Sequence, residues 1–188
     1  YLVVTLAVYF AAPLKWRNLV LLLVSLFFYG WGEPIYILIM FLSIFIDYSH
    51  GLLVDKYRHD DKKARWFVGQ SIVFNLLLLG FFKYYDFIVV NLSLIPGIQI
   101  EPLGIPLPIG ISFFTFQTMS YTIDVYRQDA PAQRNIINFG AFVTMFPQLI
   151  AGPIVRYADV ARELDNRTTT VEDLAYGLRR FLVGLGKK

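Results

Sequence analysis

The residues that could carry chemistry in this sequence lie within apolar stretches, and the clearest set is Gln117, Tyr121, Asp124 and Arg127. Their spacing places them on one face of a helix. Polar groups inside a membrane span either contact a ligand or form hydrogen bonds between helices, here with an Asp124–Arg127 ion pair at the interface. The spacing leaves both explanations open, and the second is the simpler one.

A second set of candidates lies where the backbone must break. The motif Phe146–Tyr157 contains prolines and glycines within apolar sequence, and so does the motif Leu107–Phe114. Lipid requires an unbroken apolar helix, so a broken backbone of this kind lines a protein interior or a cavity. The residues of the first motif that we expect to face that interior are Gln148, Gly152, Pro153 and Arg156.

The residue inventory excludes several other kinds of site. There is no cysteine, which removes thiol nucleophiles, disulfides and cysteine-bound zinc, and we expect no metal site. The histidines, His50 and His59, lie in or beside the charged loop after the third apolar span, where a general base would lack a partner. We expect His59 at the surface and His50 at a helix end. Basic residues lie between apolar spans, which argues against nucleic-acid binding.

The composition is typical of a membrane protein, with 56% hydrophobic, 17% aromatic and only 16% charged residues. In a typical soluble domain, about a quarter of the residues are charged. We predict an all-α polytopic membrane protein with one transmembrane domain over residues 1–188, forming the N-terminal part of a longer chain. The predicted spans, several of them short, are Tyr1–Ala12, Leu19–Trp31, Ile35–Asp47, Trp66–Phe82 with a tail to Ile95, Leu107–Val125 and Ile136–Ile150.

The distribution of positive charge predicts the orientation. If the spans alternate, the lysines and arginines fall on one side, and Lys83 is the exception. The positive-inside rule places that side in the cytoplasm and Tyr1 outside. The last predicted span breaks the alternation, because Arg134 precedes it and Arg156 follows it. We therefore predict a re-entrant element that turns at Pro147 or at the Gly152–Pro153 pair.

The polar segment that follows ends in a predicted amphipathic helix at about residues 171–186. Thr170 can cap this helix, acidic residues lie in its first turn and basic residues near its end. Its apolar residues form one stripe, which favours a position at the cytoplasmic membrane interface.

Four strings of residues resemble the membrane-bound O-acyltransferase family, in its bacterial branch. The similarity covers essentially the whole chain and is closest to the alginate, peptidoglycan and teichoic-acid acyltransferase subunits. The strings are Phe81–Phe87, Leu107–Phe113 with Phe116–Gln117, Ser120–Arg127 and Phe146–Arg156.

The resemblance implies a ring of short helices around a thin partition, in the bacterial inner membrane. Members of the family move an acyl group from a cytoplasmic thioester, acetyl-CoA or an acyl carrier protein, to an acceptor outside. The acceptor would be a hydroxyl of an exported or cell-wall polysaccharide such as alginate, handled with extracytoplasmic acetylation or export subunits. The family's essential histidine has no counterpart here and is expected beyond Lys188, so we expect this segment alone to be inactive. Donor-side or funnel-lining roles fall to Gln117, Tyr121, Gln148, Gly152, Pro153 and Arg156, with Gln117, Gln148 and Arg156 stabilising developing charge.

Three alternatives remain open at this stage. D-alanyl transfer to teichoic acid would use the same fold. Half of a transporter or channel would also use broken helices and polar groups at the midplane. A non-enzymatic scaffold of a cell-envelope complex would lack an intramembrane histidine in the complete protein.

Cysteines introduced at Lys63 and Gln99 test the orientation. We expect the cysteine at Lys63 to react only with a reagent that enters the cytoplasm, and the cysteine at Gln99 to react with an impermeant reagent applied to intact cells. The reverse labelling pattern would refute the orientation.

Overall fold

The computed structural model describes residues 1–95, 100–149, 152–167 and 169–187, and in these ranges the chain forms helices, turns and extended segments but no strand. Gln99, chosen for labelling, and Ile150, the end of the last predicted span, lie outside the described residues. The helices are α1 (Leu2–Ala11), α2 (Arg17–Gly32), α3 (Ile37–Lys56), α4 (Asp61–Leu92), α5 (Ile111–Arg127), α6 (Ile136–Thr144), α7 (Phe146–Leu149), α8 (Tyr157–Asp165) and α9 (Val171–Gly186).

Two of these helices, α3 and α4, are long and apolar enough to cross a membrane by length and composition. The predicted end of the third span at Asp47 was wrong, because α3 continues to Lys56 and Asp47 is buried within it. His50 therefore lies inside the helix and not at its end. The fourth predicted span and its tail form one helix of 32 residues, α4, which begins at Asp61, before Trp66, and ends at Leu92, before Ile95. At 1.5 Å per residue its length is about 48 Å, well beyond a hydrocarbon core of about 30 Å.

The predicted fifth span also began too early. Helix α5 begins at Ile111 and not at Leu107. Gly110, at the N-cap position, has a φ of +76°, in the left-handed region, so the helix does not extend back through it. The prolines at 106 and 108 have no backbone N–H to continue a helix through this stretch. The sixth predicted span is broken as well: α6 has 9 residues and ends at Thr144.

Helices α3, α4 and α5 form the centre of the fold. Helix α4 runs antiparallel to α5, since Asp61 accepts a hydrogen bond from Tyr126 and Asn75 accepts one from Thr118. Helix α4 also runs antiparallel to α3, so α3 and α5 are parallel to each other. On the other side of α5, short helix α6 runs parallel to α2 and packs against it.

The three central helices meet at the carboxyl group of Asp47, which is 0% exposed. The amide nitrogen of Asn75 lies 3.0 and 2.8 Å from its two oxygens, and the Ser71 hydroxyl donates to the same carboxyl group. From α5, the Thr122 hydroxyl lies 3.5 Å from Asp47, and Thr118 donates to the Asn75 carbonyl at 3.3 Å. All these side chains are fully buried, so each hydrogen bond joins two helices away from solvent.

The outward faces of the helices are apolar, as expected for surfaces that face lipid. Many large apolar side chains on α2, α3 and α4 are between 43% and 68% exposed. Among them are Phe27, Leu38, Phe41, Phe45, Leu77 and Phe87. Apolar side chains therefore face outward as well as inward, while the polar network around Asp47 is enclosed by the bundle.

The last helix, α9, covers the same range as the predicted amphipathic helix. Thr170 and Asp173 form a capping box at its start: the Asp173 N–H donates to the Thr170 hydroxyl at 3.1 Å, and the Thr170 N–H donates to Asp173 at 2.9 Å. No residue of α9 is buried. Its location at the membrane surface stays a prediction.

Replacing Asp47 by leucine should destabilise the protein, because donors on two other helices lose their acceptor while remaining buried. A buried donor without a partner costs about 1–3 kcal/mol. The Asp47→Asn variant should lose less stability. A flip of the Asn75 side-chain amide would again place a donor opposite an acceptor between positions 47 and 75. Thermal unfolding of the full-length protein in detergent measures the difference.

Ser49→Ala is the matched control on the same helix. The Ser49 hydroxyl donates only to the Phe45 carbonyl one turn earlier, at 2.7 Å. Its removal should leave the unfolding temperature nearly unchanged. Equal stability of Asp47→Leu and Ser49→Ala would show that the network does not hold the helices.

Candidate functional site

The two proline- and glycine-containing motifs of the sequence meet in the structure. A Cβ atom added to Gly110 would lie 2.7 Å from the carbonyl oxygen of Leu149. Glycine is therefore required at position 110 twice over, for its positive φ and for this close approach. The motif Leu107–Phe114 therefore contacts the early part of the motif Phe146–Tyr157, next to the start of α5.

The break after α6 frees backbone groups, and side chains satisfy two of them, the Phe142 carbonyl and the Phe146 N–H. In a continuous helix the Phe146 N–H would donate to the Phe142 carbonyl. Here the Phe146 N–H donates to the Ser25 hydroxyl of α2 at 3.2 Å. The Phe142 carbonyl accepts from the side-chain amides of Gln117 at 2.8 Å and Gln148 at 2.9 Å. The two predicted glutamines therefore converge on the same atom.

Tyr121 lies at the junction of α3, α5, α6 and α8, and it is 0% exposed. Its ring contacts Phe139 and Tyr157, with centroid distances of 4.4 and 4.8 Å. A Cβ atom on Gly51 of α3 would lie 2.5 Å from the Tyr121 hydroxyl, so only glycine leaves room there. The hydroxyl accepts the Gln133 N–H at 3.1 Å. Tyr121 is thus a packed and hydrogen-bonded residue.

Asp124 pairs with Arg156, and the predicted pair with Arg127 was wrong. The Arg156 guanidinium donates to Asp124 at 2.6 Å and to Asp129 at 3.3 Å. Asp124 is 2% exposed, and its other oxygen accepts the Ala158 N–H at the start of α8. The hydrogen bond and charge of Asp124 raise the pKa of Arg156, which stays a cation. About half of the Arg156 side chain is exposed, so its guanidinium group can still bind an anion.

The segment from α6 to Arg156 leaves one end of α5 and returns to the same end. It starts beside Tyr121, reaches Gly110 at Leu149, and is back beside Asp124 at Arg156. Gly152 lies near its turning point, where an added Cβ atom would be 2.4 Å from the Cα of Gln148. Pro153 follows Gly152 and is exposed. The close approach that requires Gly152 is therefore to this segment itself.

The histidines lie apart from this cluster. His59 is exposed in the turn between α3 and α4. His50 is half-buried on α3, and its Nδ1 lies 2.7 Å from the Ile46 carbonyl. Neither imidazole contacts a nucleophile among the described residues. Among the described residues there is also no group of three or more His, Asp or Glu side chains that could hold a metal ion.

The structure brings most of the predicted site residues together around α5, α6 and the returning segment. What they do there is hold the backbone: the glutamines bind a freed carbonyl, Tyr121 fills the junction, and Arg156 joins the returning segment to α5. Among the described residues of this cluster there is no acid–base pair.

Sequence reasoning missed the residues that complete this cluster. Ser25, Gln133 and Asp165 were not selected, yet each binds across it. The Gln133 amide donates to the Tyr157 hydroxyl at 3.3 Å and to Asp165 at 3.0 Å. A polar residue between an exposed turn and a helix gives no signal in the sequence, because its partners are 24 and 32 residues away.

A double-mutant cycle on Arg156→Gln and Asp124→Asn should reveal a coupling of roughly 1 kcal/mol or more, because one partner of the pair is buried. The exposed pair Arg65–Asp61, at the same 2.6 Å, is the matched control. It should give about 0.3–0.5 kcal/mol, as exposed pairs one helical turn apart do. If unfolding measurements gave equal coupling energies for the two pairs, the burial of Asp124 would add nothing to the strength of its ion pair.

Comparison with curated proteins finds relatives that match this chain throughout. A probable alginate O-acetylase AlgI of Azotobacter vinelandii is 39% identical over 197 residues, which cover 100% of this chain and 38% of that relative. The protein of the same name from Pseudomonas aeruginosa is 40% identical over 192 residues, covering 100% of this chain and 37% of the relative. A peptidoglycan O-acetyltransferase of Helicobacter pylori is 33% identical over 195 residues, covering 89% and 37%.

The chain thus spans less than two fifths of the length of these relatives. No family model matches it, and no solved structure does. The relatives nevertheless confirm the resemblance to bacterial acyltransferases of this type. Across 89–100% of its length the chain is thus similar to a part of these bacterial proteins, which are named as alginate and peptidoglycan O-acetyltransferases.

Proposed function

We propose that this chain is part of a membrane O-acyltransferase that transfers an acyl group, such as acetyl, to hydroxyls of an exported or cell-wall polysaccharide. The observation that carries the proposal is the similarity to relatives named as O-acetyltransferases, which extends over 89–100% of the chain. Alginate and peptidoglycan are the polymers in those names, and alginate is the acceptor we favour.

The break after α6 supports the re-entrant part of this proposal. At 1.5 Å per residue, the 9 residues of α6 extend about 14 Å, roughly half of a hydrocarbon core of about 30 Å. The segment also starts and ends beside the same end of α5. We infer that it enters the membrane from the cytoplasm, turns near the middle and returns. Its freed backbone groups are hydrogen-bonded inside the protein, as re-entry into a bilayer demands.

The donor in this proposal is a cytoplasmic thioester, either acetyl-CoA or an acyl carrier protein. With the basic turns in the cytoplasm and Tyr1 outside, Arg156 lies on the donor side, at the exposed end of the returning segment. Gln117, Tyr121, Gln148, Gly152 and Pro153 form the wall behind it. This wall would keep the bilayer thin where the acyl group crosses. Partner subunits for acetylation or export would act on the opposite face, in the inner membrane of a bacterium.

We assign no catalytic role to the histidines of this chain. Neither His50 nor His59 has a reacting partner, and the amide groups of Gln117 and Gln148 already bind the Phe142 carbonyl. The acid–base group of the reaction would come from the rest of the full-length protein.

The experiment is acyl transfer by the full-length protein in membranes, with labelled acetyl-CoA or acetylated carrier protein and the polysaccharide acceptor. The double variant His50→Ala/His59→Ala should keep most of the wild-type rate, because both side chains are remote from the cluster. Failure of wild type to label any polymer from either donor would refute the proposed function.

The control for folding is the elution profile of each protein in detergent. A double variant that elutes as wild type but has lost transfer would instead assign chemistry to one of these histidines. The single variants would then identify which one.

A further inference from the structure

A small basic cavity lies between the start of α2 and the end of α8, and it shares Asp165 with the edge of the cluster around Tyr121. Its volume is about 350 Å³. Three cationic side chains line it, Lys15, Arg17 and Arg167, together with the amides of Asn18 and Asn166 and the carboxylate of Asp165. A cavity with three cations and two amide groups offers many hydrogen-bond donors in a small space.

The two arginines are held in place by neutral groups. Both guanidinium groups stack on the ring of Tyr9, Arg17 at 5.1 Å and Arg167 at 5.5 Å from its centroid. The Arg17 Nε donates to the Ala12 carbonyl, and Arg167 donates to the Glu163 carbonyl and the Tyr9 hydroxyl. Tyr9 is itself 93% buried, with 7% of its surface exposed. The guanidinium groups are therefore pre-positioned, and several of their N–H donors remain available.

No carboxylate neutralises these cations within the described ranges. The ion pairs found there involve other lysines and arginines. The one carboxylate that lines the cavity, Asp165, accepts hydrogen bonds from the amides of Gln133 and Asn138, both at 3.0 Å. Three cationic side chains line the cavity against this one carboxylate, so the cavity keeps an excess of positive charge.

We propose that this cavity binds a phosphate group. A phosphate dianion presents several oxygens to the planar donors of two arginines, which bind it in pairs of parallel hydrogen bonds. The Asn166 amide supplies a neutral donor, and Lys15 adds a third charge from the rim. The Asn18 amide already donates to Asn138 and to the Leu164 carbonyl. The volume admits a phosphate with a small substituent and not a large apolar ligand.

Two ligands carry this chemistry on the cytoplasmic side. One is the nucleotide phosphate of a coenzyme A thioester, and this source rests on the proposed function. The other is the headgroup of an acidic phospholipid in the inner leaflet, which requires only that the protein lies in a membrane. Both would enter from the side where Lys15 is exposed.

Binding to the purified full-length protein distinguishes the two sources. Adenosine 3′,5′-bisphosphate is titrated by calorimetry, and phosphatidylglycerol is titrated by native mass spectrometry against phosphatidylcholine. We expect saturable binding of one probe. Arg17→Gln and Arg167→Gln should each weaken it about tenfold, the usual loss for a charge-assisted hydrogen bond.

Arg65→Gln is the matched control, because it removes the same charge from an exposed arginine on α4 and should change the affinity less than twofold. Lys15→Gln covers the case in which loss of an arginine unfolds the Tyr9 contacts, since Lys15 is exposed and should still weaken binding. Absence of binding by both probes, or equal binding by wild type and the Lys15, Arg17 and Arg167 variants, would overturn the site. If the wild-type protein binds phosphate but transfers no acyl group, only the proposed function is refuted.

Discussion

The hydrogen bonds that close the break between α6 and α7 are the constraint on which the rest of the candidate site depends. A chain that stops a helix inside a membrane protein frees a carbonyl and an N–H that lipid cannot satisfy. Here the Phe142 carbonyl has two amide donors and the Phe146 N–H has the Ser25 hydroxyl. These hydrogen bonds keep two polar backbone groups satisfied at the point where the chain leaves α6.

Helix α5 links this broken segment to the rest of the bundle through two different faces. Gln117, Tyr121 and Asp124 lie along one face, toward α6 and α8. Thr118 and Thr122 lie along another, toward the Asp47 carboxyl group. At 100° per residue the two faces are roughly 120° apart around the helix axis. The buried carboxyl network therefore fixes the rotation of α5, and that rotation directs the glutamine and the aspartate at the returning segment.

Hydropathy predicted where the helices lie, but not where they end or what joins them. Asp47 was taken as the end of a span because a charge usually marks one, and its neutral partners are 24 and 28 residues away. Polar residues four apart recur in α3, α4 and α5, as Ser71 and Asn75 illustrate, and this repeat is the signal that could have revealed the network. Asp124 was paired with a neighbour on its own helix, whereas folding brings it a partner from 32 residues further on.

The Asp47 network also bears on how the protein enters a membrane. An isolated α3 would place an unpaired carboxyl group in hydrocarbon, at a cost of about 2.5–3.5 kcal/mol on insertion scales. Helix α4 brings Ser71 and Asn75, and only a four-residue turn at 57–60 separates it from α3. The two helices thus satisfy each other's polar groups as a hairpin before α5 is made. Insertion of this pair as a unit, and not helix by helix, follows from where a single carboxyl group finds its donors.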